Sequence, residues 1–153
     1  MEEQVTERMT IGGTPDHCFE VLTGFEHYPD WAADIKAVTI EERDDEGRPT
    51  RVTFRAAAFG RSTSYTLLYD YSEAPTELSW IQVAGDITGR LDGVYKLRPS
   101  GDGSTEITYH LVVDLIVPLP GFVKRRAEGR ITGTALRELK ARVESSGADA
   151  TSK

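Results

Sequence analysis

Only one cysteine, Cys18, is present in the chain, so no internal disulfide can hold it together. Three histidines beside that lone thiol are too few for a dedicated structural zinc site, and no metal is expected. Long hydrophobic runs are missing, and nothing approaches the ~20 apolar residues that cross a bilayer as a helix. The amino terminus, Met1-Glu2-Glu3-Gln4, is acidic and lacks the apolar segment of a secretory signal, which makes the cytoplasm the expected location. Positive charge is in short supply. A net charge of −7 argues against general nucleic-acid binding, which relies on Lys and Arg at the phosphates. There is no Gly-rich phosphate loop, no Gly-x-Ser-x-Gly elbow and no metal-binding helix motif, and no cofactor is expected.

What is there suits a soluble globular domain. At 153 residues, 39% hydrophobic and 28% charged, the chain is large enough for a real core. We expect a single domain over 1–145 and a disordered polar tail over 146–153. No internal repeat is visible, and oligomeric state is left open. The charge is unevenly spread. Residues 124–144 carry seven Lys/Arg against three Glu, a balance of +4, so the remainder carries −11.

Val5 to Ile11 alternates as a first strand, closed by Gly12-Gly13. Thr14 is a helix N-cap type, with Pro15 at the first helical position and Asp16 in the first turn. Cys18, Phe19 and Leu22 make the buried stripe of this helix, and Gly24 ends it. Phe25 to Trp31 reads as a second short helix interrupted by Pro29. Six strand patterns follow, around 38–43, 51–59, 65–71, 78–83, 87–98 and 105–117, with short turns that imply an antiparallel meander. After Pro118-Leu119-Pro120-Gly121, one helical pattern runs over roughly 121–145 until Ser145-Ser146-Gly147 breaks it.

Strand parity sorts side chains by face. The inward sets are Leu91, Gly93, Tyr95 and Leu97; Ile107, Tyr109, Leu111, Val113 and Leu115; and Val52, Phe54, Ala56 and Ala58. Tyr65, Tyr69 and Tyr71 share one parity, and Trp80 is placed inward with Leu78 and Gln82. On the last helix, Arg125, Gly129, Thr132, Leu136, Leu139 and Val143 fall on one face. Its second half is ordinary core. Its first half offers a cation, a missing side chain and a hydroxyl. Gly129 and Gly133 each cost about 1 kcal/mol against Ala in a helix interior. Two readings stand for Gly129: it leaves room for a ligand, or it lets a side chain such as Trp80 pack closely. Arg125 either guards the mouth of that space or extends to water along its apolar stem.

The residues Tyr28-Pro29-Asp30-Trp31, Leu91-x-Gly93-x-Tyr95-x-Leu97, Gly103-x-Thr105-x-Ile107-x-Tyr109, Pro118-Leu119-Pro120-Gly121-Phe122 and Leu139-Lys140-x-Arg142-Val143-Glu144 carry a resemblance. Over about 3–145 the chain resembles the polyketide cyclase/dehydrase and lipid-transport branch of the START-like superfamily, which includes coenzyme-Q-binding-like proteins. The resemblance implies an α+β helix-grip fold. A curved antiparallel sheet of about seven strands wraps a long C-terminal helix, with two short helices after the first strand. The chain has Tyr95 where the family often has Trp, which would make one pocket wall more polar.

Three functions follow as expectations. The first is binding or transport of a hydrophobic small molecule (lipid, quinone or aromatic polyketide) between sheet and helix, lined by Phe54, Tyr65, Trp80, Tyr95, Tyr109, Arg125, Gly129 and Thr132. The second is a polyketide cyclase/dehydrase acting by aldol closure and dehydration. Parity places His110, Asp92 and Asp114 outward, so the inward set lacks a strong base, no catalytic residue is assigned, and binding without chemistry is favoured. The third is an interaction module whose basic last helix meets an acidic partner or makes peripheral contact with a membrane.

Overall fold

The structure, a computed structural model, describes residues 2–151, with side chains through Ser146. Strand β1 (Glu3–Ile11) leads into helix α1 (Pro15–Thr23), a single 3-10 turn over 25–27, and α2 (Tyr28–Trp31). Six strands follow: β2 (Ile35–Arg43), β3 (Pro49–Ala58), β4 (Arg61–Asp70), β5 (Glu77–Gly85), β6 (Thr88–Pro99) and β7 (Thr105–Leu115). Helix α3 (Gly121–Thr151) closes the fold. The seven strands form one antiparallel sheet in the order β1-β7-β6-β5-β4-β3-β2, the expected meander with β1 returned beside β7.

Local chemistry explains these boundaries. Thr14 caps α1, its hydroxyl accepting from the His17 backbone N–H, with Pro15 in the first turn. Gly13 must lack a side chain, because a Cβ there would lie 2.5 Å from Val143 Cγ1. Pro29 does not interrupt a helix. It sits in the first turn of α2, where its missing N–H has no intrahelical partner to lose. The last helix runs on to Thr151, past the stop expected at Ser145-Ser146-Gly147. The side chains of the expected tail from 147 onward lie outside the described residues.

The parity assignments hold. On β7, Ile107, Leu111 and Val113 are fully buried, and Tyr109 and Leu115 nearly so. Val52, Phe54 and Ala56 on β3, Leu78 and Trp80 on β5, and Leu97 on β6 are buried as well. One ladder is short: β5 pairs with β6 only over Glu77–Trp80. Beyond that point side chains span the gap. The Gln82 backbone N–H donates to Asp92 Oδ1 at 2.8 Å, and the Gln82 amide donates to the Thr88 carbonyl and accepts from its hydroxyl.

Helix α3 has a one-sided seat. Its backbone comes close to β1, β7 and α1 and scarcely approaches β3 to β6. Buried Leu136, Leu139 and Val143 are its apolar anchors. Polar ties fix its register: the Leu115 N–H donates to Glu128 Oε2 at 3.0 Å, Lys124 donates to the Leu115 carbonyl, and Thr132 donates to Glu7 Oε1 at 2.9 Å. Glu144 accepts from the Gly12 N–H, and Glu138 accepts from the Ala33 N–H beside α2. No helix among the described residues is long and apolar enough to cross a membrane.

Candidate functional site

The sheet's inner face carries a continuous belt of aromatic rings. Phe54 on β3 stacks on Tyr65 of β4 with centroids 5.3 Å apart, and Tyr28 of α2 lies 5.8 Å from Phe54. Phe25 links this group to Tyr69 at 4.5 Å. The belt continues from Tyr69 to Trp80 (5.7 Å), Trp80 to Tyr95 (5.3 Å) and Tyr95 to Tyr109 (4.3 Å). It therefore crosses five strands, β3 to β7. Such a belt supplies a large apolar area together with polar tips.

Those tips are almost all hydrogen-bond donors. Burial pushes the phenols of Tyr28, Tyr65, Tyr69, Tyr95 and Tyr109 well above their ordinary value, so they remain protonated. The Tyr95 and Tyr109 rings lie 4.3 Å apart between centroids, and burial is the main cause that raises both phenols. Tyr28 spends its hydroxyl on the Leu22 carbonyl at 2.6 Å. Trp80 is only 6% exposed, and its Nε1 is buried without a hydrogen-bond partner among the described residues.

The contacts of α3 show which of its faces turns toward this belt. Gly133, Thr132 and Lys140 look to β1, while Glu128 and Lys124 look to β7. Glu138, on the far side, looks to α2. The stripe between the β7 and α2 sides is Ala127, Ile131 and Ala135, all partly buried against the core.

Of the eight residues singled out from the sequence, the structure gathers five: Phe54, Tyr65, Trp80, Tyr95 and Tyr109. Thr132 is fully buried but turned to β1, its hydroxyl committed to Glu7. Arg125 and Gly129 are exposed. A Cβ at Gly129 would meet nothing within 4 Å, so this glycine admits no sheet side chain. The glycine that Trp80 requires is Gly93, where a Cβ would fall 2.5 Å from Trp80 Cζ2. Sequence reasoning missed Phe25, Tyr28 and the Ala127–Ile131–Ala135 stripe. A period of four from Ala127 was the available signal.

Chemically, the belt can bind and orient. His110 meets Thr6 at 2.6 Å on the outer side of β7, His17 meets Ser146 at 2.9 Å, and His27 lies exposed beside Asp30. Two surface depressions lie elsewhere. One of about 400 Å³ runs between α2 and α3, and one of about 610 Å³ lies among the β2–β3 turn, β4 and β5 and touches Trp80 alone of the eight residues.

The whole architecture is shared with solved structures. A START superfamily protein from Mycobacterium smegmatis superposes with a TM-score of 0.85 at 23% identity, over 93% of this chain and 97% of that one. The Zhui aromatase/cyclase from Streptomyces sp. R1128 gives 0.80 at 16% identity, covering 94% of each chain. A STAR-related lipid transfer protein from Xanthomonas axonopodis gives 0.70 at 15% identity, over 91% of this chain and 84% of that one. No curated protein matches the sequence. The profile of the polyketide cyclase/dehydrase and lipid transport family matches residues 2–144, nearly the full length. On that match the chain belongs to the polyketide cyclase/dehydrase and lipid transport family.

Proposed function

We propose that the chain binds an uncharged, planar hydrophobic molecule between the aromatic belt and the Ala127–Ile131–Ala135 face of α3. The observation that carries this reading is the pairing of depth with residual surface. Tyr65 and Tyr95 lie deep enough for burial to raise their phenols sharply, yet both keep accessible surface, as do Leu91, Ala127 and Ile131. Deep groups with exposed surface line a concavity. Neutral phenols and the unpartnered Trp80 indole favour a guest that presents acceptor oxygens, such as a quinone or a polyketide-derived aromatic. A carboxylate or an amine would enter unpaired and is disfavoured. The test is titration of the protein with menadione, an anthraquinone and palmitate, followed by tryptophan emission and amide NMR shifts. Quenching of Trp80 with shifts along β4 to β6 is expected for the quinones; flat titrations with both would overturn the reading.

The Tyr95–Tyr109 pair favours a second reading, cyclisation of a poly-β-ketone. These two hydroxyls can hydrogen-bond an enolate oxygen, whereas protonated phenols cannot act as the base. Incubation with a reactive poly-β-ketone should give a product profile that changes when Tyr95→Phe and Tyr109→Phe are combined. A profile matching the uncatalysed mixture removes this reading.

A further inference from the structure

Large apolar side chains are concentrated where they are least expected. Phe122 is 61% exposed, Ile116 56% and Phe59 45%. Phe59 forms the β3–β4 turn, Ile116 follows β7, and Phe122 opens α3. Strands β3 and β7 run in the same direction across an antiparallel sheet, so all three side chains belong to one end of the molecule. Connection tips are normally polar.

The same end carries uncompensated positive charge. Arg125, Arg126 and Arg130 are exposed and make no ion pair among the described residues. The first turn of α3 has no acidic residue to offset them. Glu128, the one carboxylate between 121 and 137, is 2% exposed and committed to the Leu115 N–H. Cations here oppose the helix dipole and one another, a local cost of a few tenths of a kcal/mol or more each. On a helical projection Phe122, Arg125 and Arg126 share the face of Gly129, whose missing side chain meets open space, and Arg130 follows Arg126 one turn on. The result is a patch of one exposed aromatic and three exposed guanidinium groups on the first turns of α3.

We propose that this end, with Phe122, Ile116 and Phe59 set among Arg125, Arg126 and Arg130, docks on the surface of an anionic lipid bilayer. Aromatic and aliphatic tips enter the headgroup boundary while guanidinium groups pair with lipid phosphates. The apolar groups sit on two separate connections, Phe59 between β3 and β4 and Ile116 and Phe122 between β7 and the first turn of α3, which suits a fluid surface better than a peptide. Both described depressions are lined by other residues. Outside residues 124–144 the chain carries a net −11, so charge also favours this orientation. The proposal stands whether or not the aromatic interior takes a guest.

The experiment is flotation of the full chain with vesicles of phosphatidylcholine alone or mixed with phosphatidylglycerol, at low and high salt. Binding should require the anionic lipid and weaken with salt. The Arg125→Gln/Arg126→Gln/Arg130→Gln variant should lose partitioning on the order of 100-fold. Phe122→Ser should lose roughly tenfold, and Ile81→Ser, on the outer sheet face, should lose none. Equal or absent flotation on the two vesicle types overturns the proposal, as does an unaffected triple variant or an unaffected Phe122→Ser. Retention on polyglutamate without flotation also overturns it and points to a soluble acidic partner. Unchanged circular dichroism of each variant confirms that folding is not the cause.

Discussion

Trp80 on β5 and Gly93 on β6 face each other directly across the sheet, and the indole fills the volume that a side chain at 93 would need. A Cβ at 93 would also lie 3.0 Å from the His110 carbonyl, so the backbone behind it cannot retreat. Gly93→Ala should therefore destabilise the fold by about 1–3 kcal/mol in denaturant titration. Adding Trp80→Phe should recover part of the loss, because the two sites share one volume.

The two mid-helix glycines of α3 should answer alanine in opposite ways. At Gly129 the added methyl meets open space, and Gly129→Ala should stabilise by about 0.5–1 kcal/mol through helix propensity. At Gly133 the methyl would sit 3.1 and 3.2 Å from the Glu7 carboxylate oxygens, and Thr132 holds that carboxylate in place. Gly133→Ala should lose stability. Thermal unfolding of the two variants side by side checks both signs.

Glu128 should matter for stability because its buried carboxyl group holds a backbone donor. Glu128→Ala leaves the buried Leu115 N–H without its acceptor and should cost about 1–3 kcal/mol. Glu128→Gln keeps an acceptor oxygen and should cost less, as measured by chemical denaturation.

All six tyrosines of the chain are buried enough to have raised phenol pKa values, Tyr71 to about 12. A folded value above the unfolded 10 means stability that is intact below pH 10 and lost as pH rises beyond it. Phenolate absorbance should therefore stay flat through pH 10 and then rise together with loss of ellipticity in one cooperative step. A separate early rise of even one phenol would contradict this.

Acid should act at the other end of α3. Lys140 first, then the Gly12 N–H, holds the Glu144 carboxyl below its usual 4.5. The tie is thus present above pH 4.5 and lost as pH falls through the lowered folded value. Because the side chain is 39% exposed, solvent screens much of the gain. Glu144→Gln should weaken the fold slightly at neutral pH and match the parent in strong acid, by urea midpoints at each pH.

The strands could be read from their period of two because burial on this sheet follows the pleat with few interruptions; β7 alternates along its whole length. The aromatic belt followed from the same parity. The helix was harder. A stripe drawn through Val143, Leu139 and Leu136 is correct where α3 lies on α1 and β1. Extended back to Gly129 and Arg125 it reaches solvent, while Lys124 and Glu128 beside it turn to β7. The ties that set its rotation, Glu128 to Leu115 and Thr132 to Glu7, use polar residues that hydrophobic periodicity ignores. Pro29 misled for a related reason, since a proline that opens a helix looks the same in sequence as one that breaks it.

Beyond Trp80 and Gly93, strands β5 and β6 are joined by the side chains of Gln82, Thr88 and Asp92 instead of a peptide ladder. Theirs is the shortest ladder of the sheet, so the seam between β5 and β6 is where its two halves, β2 to β5 and β6, β7 and β1, are least tied by backbone.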